Sequence, residues 1–339
     1  MSGDIDSEVR RGLVEKRTQL DQWREGSSEA ERDCCLASDD ESGMETHLHV
    51  IDDTLEKIEA GTFGICEVCH ETVDDELLQM DYTTTVCLGH YSQNELRNLE
   101  TELELSQVVQ RAMLPQNVPS LPGLDVAAFN RPSDIIGGDY FDFLQFKDGS
   151  AGFVIADVSG HGVSSAMLMT SLQTAFHTLV PDSLSPAEVL QRINRLFIHN
   201  INFTTFVTVF FGRLELGKNT MTFSNAGHSP GLLFRKTSTE IQRLEPTNAA
   251  IGLVESFTSR AETIQLHPGD RLLLYTDGVT EAVNGNAEFF GEERLVEILR
   301  QHADLPSKDL VKNIRESLAD FIAGQALADD VTLVVFGFQ

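Results

Sequence analysis

Basic side chains are scarce in this chain of 339 residues: 25 lysines and arginines stand against 53 aspartates and glutamates, a formal net charge of −28. A surface of that sign does not attract polyanions, which excludes non-specific binding to nucleic acid or to an anionic membrane. Long apolar runs are missing as well. No stretch reaches the roughly 18 apolar residues of a transmembrane helix. The first residues, Met1 to Asp6, are acidic and lack the basic and apolar regions of a signal peptide, so a cytoplasmic protein is expected. Cysteine is absent beyond position 87, and all five (Cys34, Cys35, Cys66, Cys69 and Cys87) fall in the first 90 residues. An odd, clustered set excludes a disulfide framework and reads as metal binding in a reducing compartment, with the adjacent Cys34 and Cys35 as free thiols.

What is present divides unevenly. At about 150 residues per domain the length allows two domains. Residues 1–100 carry 25 acidic and 8 basic side chains, a much denser acid excess than the rest. Val9, Leu13, Leu20 and Trp23 give a loose helical stripe, and Leu48, Ile51, Leu55 and Ile58 a second one that Gly61 stops. The polar break from Glu25 to Gly43 between them predicts an antiparallel helical hairpin. A further helix is expected over 93–114, ended by Pro115 and Pro119, as a linker that packs on the next domain or pairs in a homodimer. From Leu121 onward short apolar runs at 152–156, 206–211, 271–275 and 331–336 read as buried strands. Stretches at 163–179, 186–198, 292–301 and 307–323 read as helices. Such a mixture predicts one α+β domain of stacked sheets flanked by helices. The expected boundaries are 1–92, a linker at 93–120, and 121–339.

Cys66-x-x-Cys69 and Cys87-x-x-His90 lie 17 residues apart. Each pair puts two ligands on one tight turn, and together three sulfurs and an imidazole suit a closed, structural Zn²⁺. His70 competes with His90 but sits in the wrong place for the second turn. The run from Gly61 to Cys69, followed by Thr83 to His90 and preceded by Leu55-Glu56-Lys57-Ile58, resembles the DksA/TraR-type zinc finger over about residues 48–92. His90 stands where that family usually has cysteine. The resemblance implies one zinc ion, and it opens a contact with transcription machinery through the acidic Asp39, Asp40 and Glu41.

Four aspartate-bearing turns stand out in the second domain: Gly137-Gly138-Asp139-Tyr140-Phe141-Asp142, Ala156-Asp157-Val158-Ser159-Gly160-His161-Gly162, Tyr275-Thr276-Asp277-Gly278 and Ala328-Asp329-Asp330-Val331-Thr332. Three of them adjoin expected strand ends. Carboxylates gathered at one sheet edge repel, which raises their pKa values unless a cation intervenes. Oxygen-only ligands select hard ions such as Mg²⁺ or Mn²⁺. Taken alone, the residues support an acidic metal site.

In this order, and with Asn225-Ala226-Gly227-His228 between the second and third, these motifs are similar to the SpoIIE/RsbU-type members of the PPM (PP2C-like) serine/threonine phosphatases over about residues 108–339. The helix of Gln107–Leu114 with Pro115 resembles the one that leads into that family's domain. The resemblance implies a PPM-type β-sandwich and two Mn²⁺ or Mg²⁺ ions. Asp157 would bridge the ions, helped by the Val158 carbonyl, and Asp139, Asp277 and Asp329 would complete the shells. It gives Asp330 and Asp142 supporting places, and His161 and His228 structural ones. Arg131 is a surface residue within reach of phosphate. The implied substrate is a phosphorylated regulatory protein, an anti-sigma-factor antagonist of STAS type. A diguanylate cyclase shares four of the five letters of Gly137 to Phe141, but Tyr140 cannot ligate a hard cation as its acidic residue does. The competing expectation is a catalytically weak scaffold whose zinc finger makes the functional contact.

Overall fold

The computed structural model of the chain describes residues 9–10, 13–14, 17, 40–74, 78, 82–90, 93–160, 162–183, 185–198, 205–254 and 259–339. The chain forms two compact units, Met1–Glu100 and Thr101–Gln339. No helix among the described residues is long and apolar enough to cross a membrane.

In the first unit, α1 (Asp40–Glu59) carries the second apolar stripe, with Ile51 fully buried. It begins three residues before Gly43, the expected end of the polar break. Of the first stripe, Val9 and Leu13 are helical and Leu13 is buried, while Leu20, Trp23, Cys34, Cys35 and Asp39 lie outside the described residues. Arg17 is ion-paired with Asp52 on α1. After α1 the chain turns at Gly61 and Gly64 around a small core of Phe63, Cys66, Val73 and Leu78. Next, α2 (Gln93–Met113) spans the boundary between the units.

The second unit runs β1 (Leu124–Arg131), β2 (Tyr140–Gln145), β3 (Ala151–Val158), α3 (Val163–Leu179), α4 (Pro186–Phe197), β4 (Val207–Glu215), β5 (Thr220–Ala226), β6 (Gly231–Phe234), β7 (Ile241–Leu244), β8 (Glu262–Gln265), β9 (Arg271–Tyr275), α5 (Asp277–Thr280), α6 (Glu292–His302), α7 (Ser307–Ile322) and β10 (Val331–Phe338). The strands make two five-stranded antiparallel sheets, β1-β10-β9-β6-β7 and β2-β3-β4-β5-β8. Side-chain alternation along each strand decides what faces what. Phe153 and Ile155 of β3 meet Leu272 and Leu274 of β9 and Val334 and Phe336 of β10 in the core between the sheets. Val154, Ala156 and Val158 turn outward to Met169, Phe176, Val189 and Ile193 of α3 and α4. Leu273, Leu333 and Val335 turn the other way, onto Leu295, Leu310 and Ile314 of α6 and α7. The result is a helix–sheet–sheet–helix sandwich, the mixed α+β fold expected. Because strands buried on both faces lack a clean period-two signal, β10, buried along its whole length, was readable only as an apolar run.

Antiparallel pairing places several termini at one edge. The start of β2 pairs with the end of β3, Tyr140 opposite Ala156. The start of β10 pairs with the end of β9, Leu333 opposite Tyr275. All four aspartate turns are thereby delivered to the same end of the sandwich.

Candidate active site

Asp139 immediately precedes β2, Asp157 is the penultimate residue of β3, Asp277 opens α5 just after β9, and Asp329 lies two residues before β10. Two of these termini belong to one sheet and two to the other. Asp139 is buried, and its Oδ2 accepts hydrogen bonds from Thr276 Oγ1 (2.8 Å) and Thr332 Oγ1 (2.6 Å), both from the opposite sheet. Oδ1 takes part in neither bond. Burial first, then Asp157 and Asp330, hold its pKa well above the ordinary carboxylate range, against the pull of the two hydroxyls. Asp157 is pushed up to about 8 by burial, then by Asp277, Asp329, Asp330 and Glu281. Burial and Glu281 likewise raise Asp277. The shifts at Asp139 and Asp157 reflect carboxylates that the strand ends bring together.

Asp330 does not serve as Asp157 does. Its Oδ1 accepts from Ser133 N (2.8 Å) and Ser133 Oγ (3.0 Å), and its Oδ2 from Gly138 N (2.7 Å) and Asp139 N (3.3 Å). It ties the β1–β2 loop to the start of β10 and so fixes where Asp139 begins. Close approach requires the glycines here. A Cβ at Gly137 would lie 2.1 Å from Asp330 Oδ2, and one at Gly278 only 2.0 Å from the Asp330 carbonyl. A Cβ at Gly138 would sit 2.9 Å from the Val158 carbonyl oxygen, so that oxygen opens toward the Asp139 turn. Asp142 has the local supporting place expected of it, accepting from Tyr140 Oη (2.9 Å) and meeting His177 Nε2 of α3 at 2.7 Å.

Several contributors were not legible in the sequence. Thr276 and Thr332 sit inside the quoted motifs, but only the fold aims both hydroxyls at Asp139. Glu281, just past the end of α5, adds a further carboxylate to the field of Asp157. Gln110 on α2 clamps the loop that carries Asp139 by its amide: Nε2 donates to the Gly137 carbonyl (2.6 Å) and Oε1 accepts from Gly137 N (3.1 Å). Nothing in the spacing of α2 marks that glutamine. Arg131 is exposed at the end of β1, in register with Val331, and His161 lies outside the described residues.

In the first unit, the donor atoms of Cys66, Cys69, Cys87 and His90 all lie within 4.8 Å of one another. Among the described residues no three aspartate oxygens close that tightly. Like charges resist such approach without a cation between them. The Cys87 sulfur stands 3.7 Å from the sulfurs of Cys66 and Cys69. Tetrahedral Zn–S bonds of about 2.3 Å would separate sulfurs by about 3.8 Å, so the spacing fits that ion. Backbone groups of Cys69 and Cys87 pull the Cys66 thiol down to about 6, while burial and the sulfurs of Cys66 and Cys69 push Cys87 up to about 11, a repulsion that a cation among them would relieve. His70 adopts a left-handed backbone (φ 59°) in the first turn and stays out of the cluster.

Comparison with known proteins decides the family. Residues 147–339 match the model of Stage II sporulation protein E (SpoIIE). The chain belongs to the SpoIIE family. It is 28% identical over 270 residues to phosphoserine phosphatase RsbU of Bacillus subtilis, covering 77% of this chain and 80% of that protein. Among solved structures, the SiaA-PP2C domain of Pseudomonas aeruginosa superposes with a TM-score of 0.63 at 23% identity, over 72% of this chain and 98% of that domain. The RsbU and RsbW domains of Rv1364c from Mycobacterium tuberculosis give 0.58 at 27% identity, over 67% of this chain and 63% of that one. This SpoIIE-family chain is a PPM-type phosphatase with the PP2C-like fold.

Proposed function

We propose that the chain is a divalent-metal-dependent phosphoserine/phosphothreonine protein phosphatase of bacterial signalling. Its substrate would be a phosphorylated regulatory protein, an anti-sigma-factor antagonist of STAS type. The observation that carries this reading is the delivery of Asp139, Asp157, Asp277 and Asp329 to one sandwich edge, with Asp157 raised by burial and then by Asp277 and Asp329. Similarity to phosphoserine phosphatase RsbU supports the substrate class.

Asp157 would serve both of two ions, Asp139, Asp277 and Asp329 would complete their ligands, and the Val158 carbonyl would add an oxygen. A pair of Mn²⁺ or Mg²⁺ held there would supply Lewis acidity toward phosphoryl oxygens and lower the pKa of a water. Thr276 and Thr332 hold Asp139 by one oxygen and keep it oriented. Asp330 and Gln110 fix the loop on which Asp139 sits. Arg131 is an exposed residue at the end of β1 that could touch phosphate. No covalent phosphoenzyme is expected on this reading.

The domains read as a helical zinc-finger domain at 1–92, a linker at 93–120 and the phosphatase at 121–339, in a cytoplasmic protein. One structural Zn²⁺ is held by Cys66, Cys69, Cys87 and His90. Leu105, Val108 and Val109 of α2 are exposed, which supports a homodimer through helix 93–114. The test is phosphate release from a phosphoserine peptide with Mn²⁺. The reading expects turnover that falls at least about 100-fold in Asp157→Asn. Undiminished activity in that variant, or in excess EDTA, would overturn it.

A further inference from the structure

His228 lies where the chain crosses from one sheet to the other, between β5 and β6, and is 2% exposed. Its backbone is fixed by Asn225, whose Oδ1 accepts from His228 N (2.9 Å) and whose Nδ2 donates to the His228 carbonyl (3.1 Å). On one side Nδ1 stands 2.8 Å from Thr208 Oγ1 of β4. Thr208 is the register partner of Asp157, and its Oγ1 also lies 3.5 Å from the Asp157 carbonyl. On the other side the ring faces the main chain of Tyr275, two residues before Asp277. Burial keeps the ring neutral at physiological pH, with its pKa held down to about 4. The Thr208 hydroxyl has one proton: given to Nδ1 it leaves the ring proton on Nε2, and given to the Asp157 carbonyl it lets Nδ1–H donate to Thr208, so the ring and the Asp157 backbone share one link in either tautomer.

Nε2 is the single buried side-chain nitrogen or oxygen among the described residues that makes no hydrogen bond of good geometry, and what it faces is the main chain of Tyr275. A buried polar nitrogen held that loosely costs up to about 1–3 kcal/mol, and an apolar ring of the same size would fill the space without that penalty. A purely structural plug would therefore be better made from phenylalanine.

We infer that His228 is a positioning residue: its imidazole is a strut of fixed length between β4, beside Asp157, and β9, which delivers Asp277, and it sets the spacing of those two carboxylates from opposite sheets. The inference rests on the phosphatase reading above, because the proposed metal ligands are what it spaces.

The test compares Thr208→Val, which keeps the shape and removes the hydroxyl, with His228→Phe and the double variant in the full-length protein. Calorimetry reads Mn²⁺ affinity, thermal melting in EDTA reads stability, and p-nitrophenyl phosphate hydrolysis at saturating Mn²⁺ reads kcat and KM separately. Each single variant is expected to weaken Mn²⁺ binding at least about 10-fold with KM changed less than about twofold. The double variant should lose no more than the worse single one, as for two ends of one link. Wild-type Mn²⁺ affinity in Thr208→Val, or losses that add in the double variant, would overturn the assignment. If His228→Phe fails to fold, the Thr208→Val titration decides alone. A wild-type protein that binds no Mn²⁺ would instead overturn the phosphatase reading, and this inference with it.

Discussion

Replacing Asp157 by asparagine should make the metal-free protein more stable while abolishing its activity, and the gain should depend on pH. Asp157 is held near pKa 8 in the folded chain by burial and by four neighbouring carboxylates. In the unfolded chain it titrates near the ordinary aspartate value, about 3.9. Between these two values the native state holds a proton that the unfolded state has released, so stability falls as pH rises, by about 1.4 kcal/mol per unit, and levels off above the folded value. Asparagine has the same shape and no such slope. From about pH 5 to about pH 8 the difference between the two proteins should therefore grow by up to about 4 kcal/mol. For a unit of this size that corresponds to roughly 8–16 °C in melting temperature. The assay is calorimetric melting of both proteins in EDTA at several pH values. Any penalty for burying the new amide is the same at every pH and cancels in the comparison. Added Mn²⁺ should raise the wild-type melting temperature at high pH and leave the variant unmoved. Parallel pH profiles for the two proteins would refute the reasoning, because Asp157 would then not be under repulsion from its neighbours.

Other substitutions probe other parts of the molecule. Gly278→Ala would place a methyl group 2.0 Å from the Asp330 carbonyl, and melting should show a loss of about 1–3 kcal/mol with lowered Mn²⁺ affinity. Gln110→Ala removes both hydrogen bonds to Gly137, worth about 1–3 kcal/mol together, so the melting temperature of the second unit should fall by roughly 2–12 °C and kcat/KM by about tenfold. Metal analysis should find about one Zn²⁺ per chain, reduced in Cys66→Ser, and a strong chelator should lower the first unit's melting transition.

How much of this was legible in the sequence depended on what each residue does. β3 and β9 were visible as apolar runs because both faces are buried, and α4 because Pro186 sits in its first turn behind Ser185, whose side chain accepts from Glu188 N. The short edge strands β7 and β8 were not, since Ile241–Leu244 and Glu262–Gln265 are half polar and exposed and carry little period-two contrast. The four aspartates could be picked out because glycine and strand ends flank them. Their partners could not. Thr276, Thr332 and Gln110 reach the site across sheet or helix packing, at separations of 137, 193 and 27 residues from what they hold, and no local pattern records such a distance. His228 stood inside a visible motif, yet only the crossover between sheets brings its ring between Thr208 and Tyr275.

The central claim, that aspartates from four strand ends share a pair of hard cations, is tested most directly by anomalous diffraction from a crystal grown in Mn²⁺. The account predicts two manganese peaks about 3.5–4 Å apart, both touching Asp157 and between them reaching Asp139, Asp277 and Asp329. A fully active protein whose crystals show no manganese at that edge, or place it away from Asp157, would contradict it.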